Sequence, residues 1–234
     1  MTRTTAWLLL AALAPAAWAA ETKDAKAEPA KGDNEGWTTL FDGESLKNWK
    51  VADKDSFQTH GEVEVKDGAI VLKSGQPFTG IQWTGAEPPK ENFEIEAEVR
   101  RTQGIDIFCG LTVPVGKSHV SLVLGGWGDS VVGLSSINDR NASDNETTKV
   151  KSFKNDQWYK VRLRVTADRI QAWIEGEKEV DGKKVPDIEK VIDVERGERK
   201  FTIYEQLEPL RPLGFFSWET EGAVRAIRLR PIKP

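Results

Sequence analysis

Apolar and polar residues alternate along most of this chain. In Phe93-Glu94-Ile95-Glu96-Ala97-Glu98-Val99-Arg100 the odd positions are apolar and the even ones charged. Tyr159, Val161, Leu163 and Val165 repeat the pattern, and Ile170, Ala172 and Ile174 resume it after Thr166-Ala167-Asp168. Near the C-terminus Val224, Ile227, Leu229 and Ile232 are interleaved with Arg225, Arg228 and Arg230. A period of two sends successive side chains to opposite faces of a strand, so each run predicts a strand with one buried and one solvated face. Shorter strands are predicted at 63–65, 69–73, 80–83, 105–113, 119–124, 130–134 and 214–219. Turn residues punctuate them, as in Lys66-Asp67-Gly68, Pro114-Val115-Gly116 and Gly125-Gly126, where Gly, Pro and Asp supply turn conformations. No run holds a 3.6-residue period over a helical length, and no internal repeat stands out.

Many closely spaced, half-solvated strands predict an all-β fold: an antiparallel two-sheet β-sandwich of jelly-roll type. In such folds one sheet is usually curved, and its solvent-facing side forms a groove where function would sit. Three segments divide the 234 residues. Residues 1–20 read as a signal peptide, with Arg3 ahead of the apolar run Ala6–Ala14 and small residues Ala17, Ala19 and Ala20 at a cleavage site. The run is too short for a bilayer span, so no membrane span is expected after cleavage, and the protein is expected in the periplasm or outside the cell. Residues 21–36 hold charge, Ala, Pro and Gly without a large apolar residue, the composition of a flexible leader. Residues 37–234 form a single domain.

Composition narrows the partners. With 33 Lys+Arg against 37 Asp+Glu, formal charge −4, nothing concentrates the positive charge that a nucleic acid requires. The single cysteine, Cys109, lies in the apolar run Ile107-Phe108-Cys109-Gly110-Leu111. It cannot form an internal disulfide, and it reads as a small buried hydrophobe.

The opening Trp37-Thr38-Thr39-Leu40-Phe41-Asp42-Gly43-Glu44-Ser45-Leu46-Lys47-Asn48-Trp49 resembles the start of the 3-keto-disaccharide hydrolase domain, also described as a 3-keto-glucoside lyase/hydratase domain. The order of the later motifs fits as well: Val65 to Val71, Asn92 to Glu96, Trp158-Tyr159, Asp168 to Gly176, Pro212 to Phe216 and Val224 to Leu229. The resemblance implies a concanavalin A-like jelly roll and a carbohydrate ligand. One difference falls mid-chain. Where the family's strand usually reads like Gly-Asn-Ser-Gly-Ile-Phe, this chain has Gly104-Ile105-Asp106-Ile107-Phe108-Cys109-Gly110.

The chemistry that the resemblance implies is specific. A ketone at C3 of a sugar acidifies the C2 proton; a base removes it, and the C1 substituent departs with help from an acid. That asks for a carboxylate or histidine and for donors or a metal opposite the ketone oxygen. Alternation places His119 opposite Val120, Leu122 and Leu124, and Asp106 opposite Ile107 and Cys109, so Asp106 and His119 are the candidate catalytic pair on one surface. Equally, they are polar residues on a solvated face.

Substrate contacts are read from aromatic and polar residues. Trp127 stands in Gly125-Gly126-Trp127-Gly128-Asp129, a loop where core packing explains an indole poorly and where Asp129 would accept sugar hydroxyls. Trp83 and Trp218 lie near strand ends. Arg140 and Glu146 belong to the polar segment 138–148 that would rim a groove. Asp139, Asn141, Asp144, Asn145 and Glu146 are also oxygens of the kind that hold a divalent cation such as Ca²⁺, although their spacing matches no standard loop. Hydrogen-bonded loops use the same residue types. Three readings stay open at this stage: a hydrolase or lyase acting on 3-keto-glucosides or related glycosides, a non-catalytic carbohydrate-binding module of the same fold, and a structural envelope protein. Fold alone does not choose among them.

Overall fold

In the computed structural model, fifteen strands among the described residues pair into two antiparallel sheets. In chain order they are β1 (Thr38–Thr39), β2 (Trp49–Val51), β3 (Val63–Lys66), β4 (Ala69–Leu72), β5 (Phe78–Trp83), β6 (Phe93–Gln103), β7 (Cys109–Val115), β8 (Ser118–Gly125), β9 (Val131–Ser135), β10 (Lys149–Val150), β11 (Tyr159–Val165), β12 (Arg169–Val180), β13 (Lys183–Glu195), β14 (Gly214–Trp218) and β15 (Glu221–Pro231). The structure describes residues 36–233 and Met1. The signal peptide read over 1–20 and nearly all of the leader read over 21–36 lie outside the described residues. No helix among the described residues is long and apolar enough to cross a membrane.

Sheet 1 runs β13-β12-β11-β6-β15-β4-β3, with β1 also paired to β15; sheet 2 runs β10-β9-β8-β7-β14-β5-β2. The expected two-sheet all-β sandwich is the fold observed. Its core is built from the alternation. Phe93, Ile95, Ala97 and Val99 of β6 and Val161 and Leu163 of β11 meet Leu111 and Val113 of β7, Leu122 and Leu124 of β8 and Phe215 of β14 between the sheets. Burying these side chains is the main force holding the sheets together. Cys109 is in this core, where burial pushes its thiol up to about 12, so it stays protonated and unreactive at neutral pH.

Two elements differ from expectation. Residues 105–108 form a loop, and β7 begins only at Cys109. Strand β13 is absent from the strands the sequence predicts, because only Val191, Ile192 and Val194 at its end are buried, while residues 183–187 extend past β11 as a hairpin with β12.

The outer face of sheet 1 carries the charged half of the alternation as a ladder. Glu94 accepts hydrogen bonds from Arg164 Nε at 2.6 Å and Arg230 Nε at 2.8 Å. Glu96 accepts from Arg228 Nε at 2.9 Å, and Glu98 from Arg225 Nε at 2.7 Å. Burial pushes the Glu94 carboxyl up, but the bonds from Arg230 and Arg164 outweigh it and hold the group below the usual carboxylate range. A depressed carboxyl contributes stability above its unfolded value, about 4.3, and that stability disappears as pH falls through the folded value. We therefore expect Glu94→Gln to cost about 2–3 kcal/mol at pH 7, at the low end for a broken buried pair because both arginines are partly exposed. Urea melts at several pH values check it. The difference between parent and variant should shrink below pH 4, and a difference that stays constant with pH would contradict the assignment.

Candidate active site

The face of sheet 2 turned away from the core is not bare. Phe78 (β5), Phe216 and Trp218 (β14) and Val123 (β8) point outward and are covered by Phe57, Leu207 and Leu210 from two short helical turns, 55–57 and 205–210. Glycine makes this close cover possible. A Cβ on Gly110 of β7 would lie 2.1 Å from the Phe216 ring, and one on Gly80 of β5 would lie 2.8 Å from the Phe57 ring. Only a residue without a side chain leaves room for rings lying flat on the strands.

Beside this cover a cavity of about 370 Å³ remains open. Phe78, Ile107, Val123, Phe216 and Trp218 form its apolar lining, with the Trp218 ring edge-on to Phe78 at 4.6 Å. Trp127, Asp106, Ser135, Asn141 and Tyr204 add an exposed indole and the polar groups. An apolar cavity of a few hundred Å³ with a few polar groups converging on it is the usual form of a small-molecule site.

Three of the candidate residues meet here: Asp106, Trp127 and Trp218. The β7–β8 hairpin brings the first two together. Its register pairs Val115 with Ser118 and Cys109 with Leu124; carried past the strand ends, it sets position 106 opposite 127. Asp106 Oδ1 accepts the backbone N–H of Ile107 at 2.8 Å and of Trp127 at 3.2 Å. Its Oδ2 has no hydrogen-bond partner among the described residues. Trp218 joins them through its backbone N–H, which donates to the Ile107 carbonyl at 2.8 Å.

Trp127 is held in an unusual turn. Gly125, Trp127, Gly128 and Asp129 all have left-handed backbone, with φ of 79°, 52°, 84° and 92°. Such angles in non-glycine residues persist only where the surroundings enforce them. Arg101 provides the enforcement. Its guanidinium pairs with Asp129 and donates from Nε to Asn155 Oδ1 and from Nη2 to the Phe153 carbonyl, both at 2.6 Å. Asp129 is thus an anchor for the Trp127 turn, tied to a buried arginine, rather than a group turned to a sugar.

The remaining candidates fall elsewhere. His119 does lie on the outer face of sheet 2, as alternation predicts, but its partner across the hairpin is Pro114. At least five residues of strand, roughly 16 Å at about 3.3 Å each, separate it from the end where Asp106 sits. The two residues therefore do not form a catalytic pair. Burial, followed by the nearby charge of Arg211, pulls the His119 ring down to about 4, so it is neutral at pH 7. Trp83 points into the core, 7% exposed, edge-on to Trp49 at 5.1 Å and with Nε1 bonded to the Ala86 carbonyl at 2.8 Å. It is a packing residue, because its register partner Trp49 shares the inward face. Arg140 is exposed, 3.9 Å from Asp144, and Glu146 pairs with Arg199; neither lines the cavity.

The five oxygens considered for a cation are turned to separate partners. Asp139 pairs with Lys200, Asn141 caps Ser143, Asn145 accepts from Thr147, and Asp144 and Glu146 face arginines. The donor set does not fit Ca²⁺, which needs six or more oxygens converging on one point. No group of three or more His, Cys, Asp or Glu side chains suited to a metal occurs among the described residues.

Sequence reading missed Arg101, Ser135 and Tyr204, and gave Asn141 only a cation-binding role. For Arg101 a signal existed: position 101 continues the inward series Phe93, Ile95, Ala97, Val99, and an arginine due in the core must have partners. The other three reach the cavity from distant segments, and no local pattern marks them.

Comparison with known proteins agrees with this architecture. A family model described as the 3-keto-alpha-glucoside-1,2-lyase-like domain matches residues 36–230. No curated protein matches the chain by sequence. Among solved structures, a protein of unknown function with a galectin-like fold from Bacillus subtilis superposes with a TM-score of 0.53 at 9% identity, over 83% of this chain and 94% of that one. The Crh5 transglycosylase in complex with NAG gives 0.52 at 13% identity, covering 85% of each chain. The exoplasmic/lumenal domain of VIP36, in a form bound to Ca²⁺ and Man3GlcNAc, gives 0.52 at 10% identity, over 84% and 89%. At such identities these likenesses show the fold alone.

Proposed function

Because the chain belongs to the 3-keto-alpha-glucoside-1,2-lyase-like domain family, we propose that it binds a glucoside oxidised at C3 in the aromatic cavity of sheet 2 and cleaves its glycosidic bond by elimination. The observation that carries this reading is the meeting, in one cavity, of a carboxylate whose Oδ2 has no partner among the described residues, that of Asp106, with two indoles, Trp127 and Trp218. Indole faces stack on the C–H face of a sugar ring, and polar groups at the rim fix its orientation.

The steps follow from the ketone. Asp106 Oδ2 removes the proton from C2, made acidic by the carbonyl at C3. The electron pair passes into an enolate, whose oxygen needs hydrogen-bond donors; Ser135, Asn141 and Tyr204 line the cavity and are the candidates. The enolate then expels the C1 substituent as the C1–C2 double bond forms, and the departing oxygen takes up the proton that Asp106 Oδ2 removed from C2. Addition of water across that double bond completes a net hydrolysis. The reaction is proposed to take place outside the cytoplasm, following the signal peptide read in the sequence.

A second reading has its own support. Asp106 Oδ1 ties the Trp127 turn to its own loop through the Trp127 N–H, so this carboxylate has a structural task even without catalysis, and the same cavity would suit a non-catalytic sugar-binding module. Incubating the protein with an aryl 3-keto-α-glucoside, with and without EDTA, and following aglycone release decides between the two. Release above the spontaneous rate supports the lyase. Saturable binding of the glycoside with no release supports the binding module, and neither result rejects the cavity as a sugar site.

A further inference from the structure

The end of sheet 2 opposite the aromatic cavity holds a second depression, about 340 Å³, that this reaction does not use. His119 and Pro114, partners across the β7–β8 hairpin, form its floor. Lys90 enters from the loop before β6, Lys117 from the hairpin turn, and Arg211 from the segment after the 205–210 helical turn. The frame is hydrogen-bonded: Gly116 N–H donates to the Lys90 carbonyl at 2.8 Å, and Gln82 Nε2 to the Arg211 carbonyl at 2.5 Å.

The charges facing the imidazole are unequal in sign. Lys90 is 3.4 Å from Glu87 and Arg211 is 2.7 Å from Glu208, both pairs largely exposed. Lys117 has no acidic partner among the described residues. Neither ring nitrogen of His119 has a hydrogen-bond partner among them either. A half-buried imidazole held neutral by burial and by Arg211 and Lys90, against Glu208, keeps one N–H to donate. No aromatic ring other than His119 lines the depression, so a neutral sugar would find no indole to stack on.

We propose that this depression binds an oxyanion, a sulfate, phosphate or carboxylate group, with Lys90, Lys117 and Arg211 supplying the charge and the His119 ring a hydrogen bond. The anion completes three cations and one donor that the protein leaves partly unpaired, and charge-assisted bonds of this kind are the strong ones. It would also oppose the positive field at the ring, so anion binding and His119 protonation must favour each other.

Proton NMR of the two histidine rings tests this, with His60 as internal control because its Nδ1 lies 2.7 Å from the Gly61 carbonyl, outside the depression. Inorganic phosphate added at constant ionic strength should shift the His119 resonances saturably and leave His60 in place. It should also raise the pH at which His119 protonates by about one pH unit, the usual effect of a neighbouring opposite charge. The Lys90→Glu/Lys117→Glu variant changes two surface side chains and should weaken the response by about tenfold or more, as like charge replaces attraction. Glucose 6-phosphate and glucuronate separate the sources: tighter binding than free phosphate assigns the group to an anionic saccharide, and equal binding to the free ion. No saturable response, an equal shift of His60, or an unchanged response in the charge-reversed variant would overturn the proposal. Asp106→Asn should leave this response intact, so the result stands apart from the catalytic reading.

Discussion

Asp106→Asn is expected to lower the rate of aglycone release from a 3-keto-α-glucoside by about 10²–10⁴, the usual share of a positioned general base. The variant should fold as the parent does. Asn supplies the same Oδ1 acceptor for the backbone N–H groups of Ile107 and Trp127, so the turn that presents the indole keeps its hydrogen bonds. What disappears is the basic second oxygen. The loss should therefore fall on kcat, with KM and the melting temperature little changed. Trp127→Ala makes the complementary change. The indole is 46% exposed, so its removal leaves the core untouched and should instead raise KM by about tenfold, in line with aromatic contacts worth about 0.5–1.5 kcal/mol. An Asp106→Asn enzyme with parental kcat would move the base elsewhere, and Tyr204 would be the next lining residue to replace. Equal losses of kcat in both variants would mean that the turn acts as one unit and that base and platform cannot be assigned separately.

The sandwich was legible because alternation is a direct record of which face of a strand is buried. Phe93 to Val99 and Tyr159 to Val165 are neighbours in sheet 1 and show the same pattern in sequence and in space. β13 escaped because most of its length is exposed or half-exposed, leaving no apolar period to read. The site was legible on one level only. Alternation tells which face a residue occupies, and it rightly set His119 apart from Val120, Leu122 and Leu124. It does not tell how far along the face two residues lie. That is set by hairpin register: a turn at Gly116-Lys117 forces Asp106 toward Trp127 and His119 toward Pro114. Trp83 failed for a related reason. Nearness to a strand end suggests exposure, yet an inward register position buries the ring against Trp49 whatever its distance from the turn.

Arg101→Ala is expected to be the most destabilising single change at this site, costing about 3–5 kcal/mol in urea unfolding. The side chain is 4% exposed, and its hydrogen bonds reach three groups on two segments: Asp129 on the Trp127 turn, and Asn155 and the Phe153 carbonyl on the loop before β11. Truncation leaves the carbonyl without that donor and opens a void beside Phe108, whose ring lies 5.9 Å from the guanidinium. The consequence for function follows from backbone strain. Trp127 and Asp129 hold left-handed angles that cost about 1–3 kcal/mol each when nothing enforces them. With Asp129 released, the turn should relax toward ordinary angles and the indole should leave the cavity. Sugar binding would then weaken even where the variant remains folded. Arg101→Lys separates the two effects. Its ammonium can still meet Asp129, but as a compact charge it cannot replace a planar fork that also holds Asn155 and Phe153. Stability should be recovered in part, together with the Trp127 fluorescence change on ligand addition. If Arg101→Ala melts at the parental urea concentration, the guanidinium is not the anchor, and the Trp127 turn must be held by Asp106 alone.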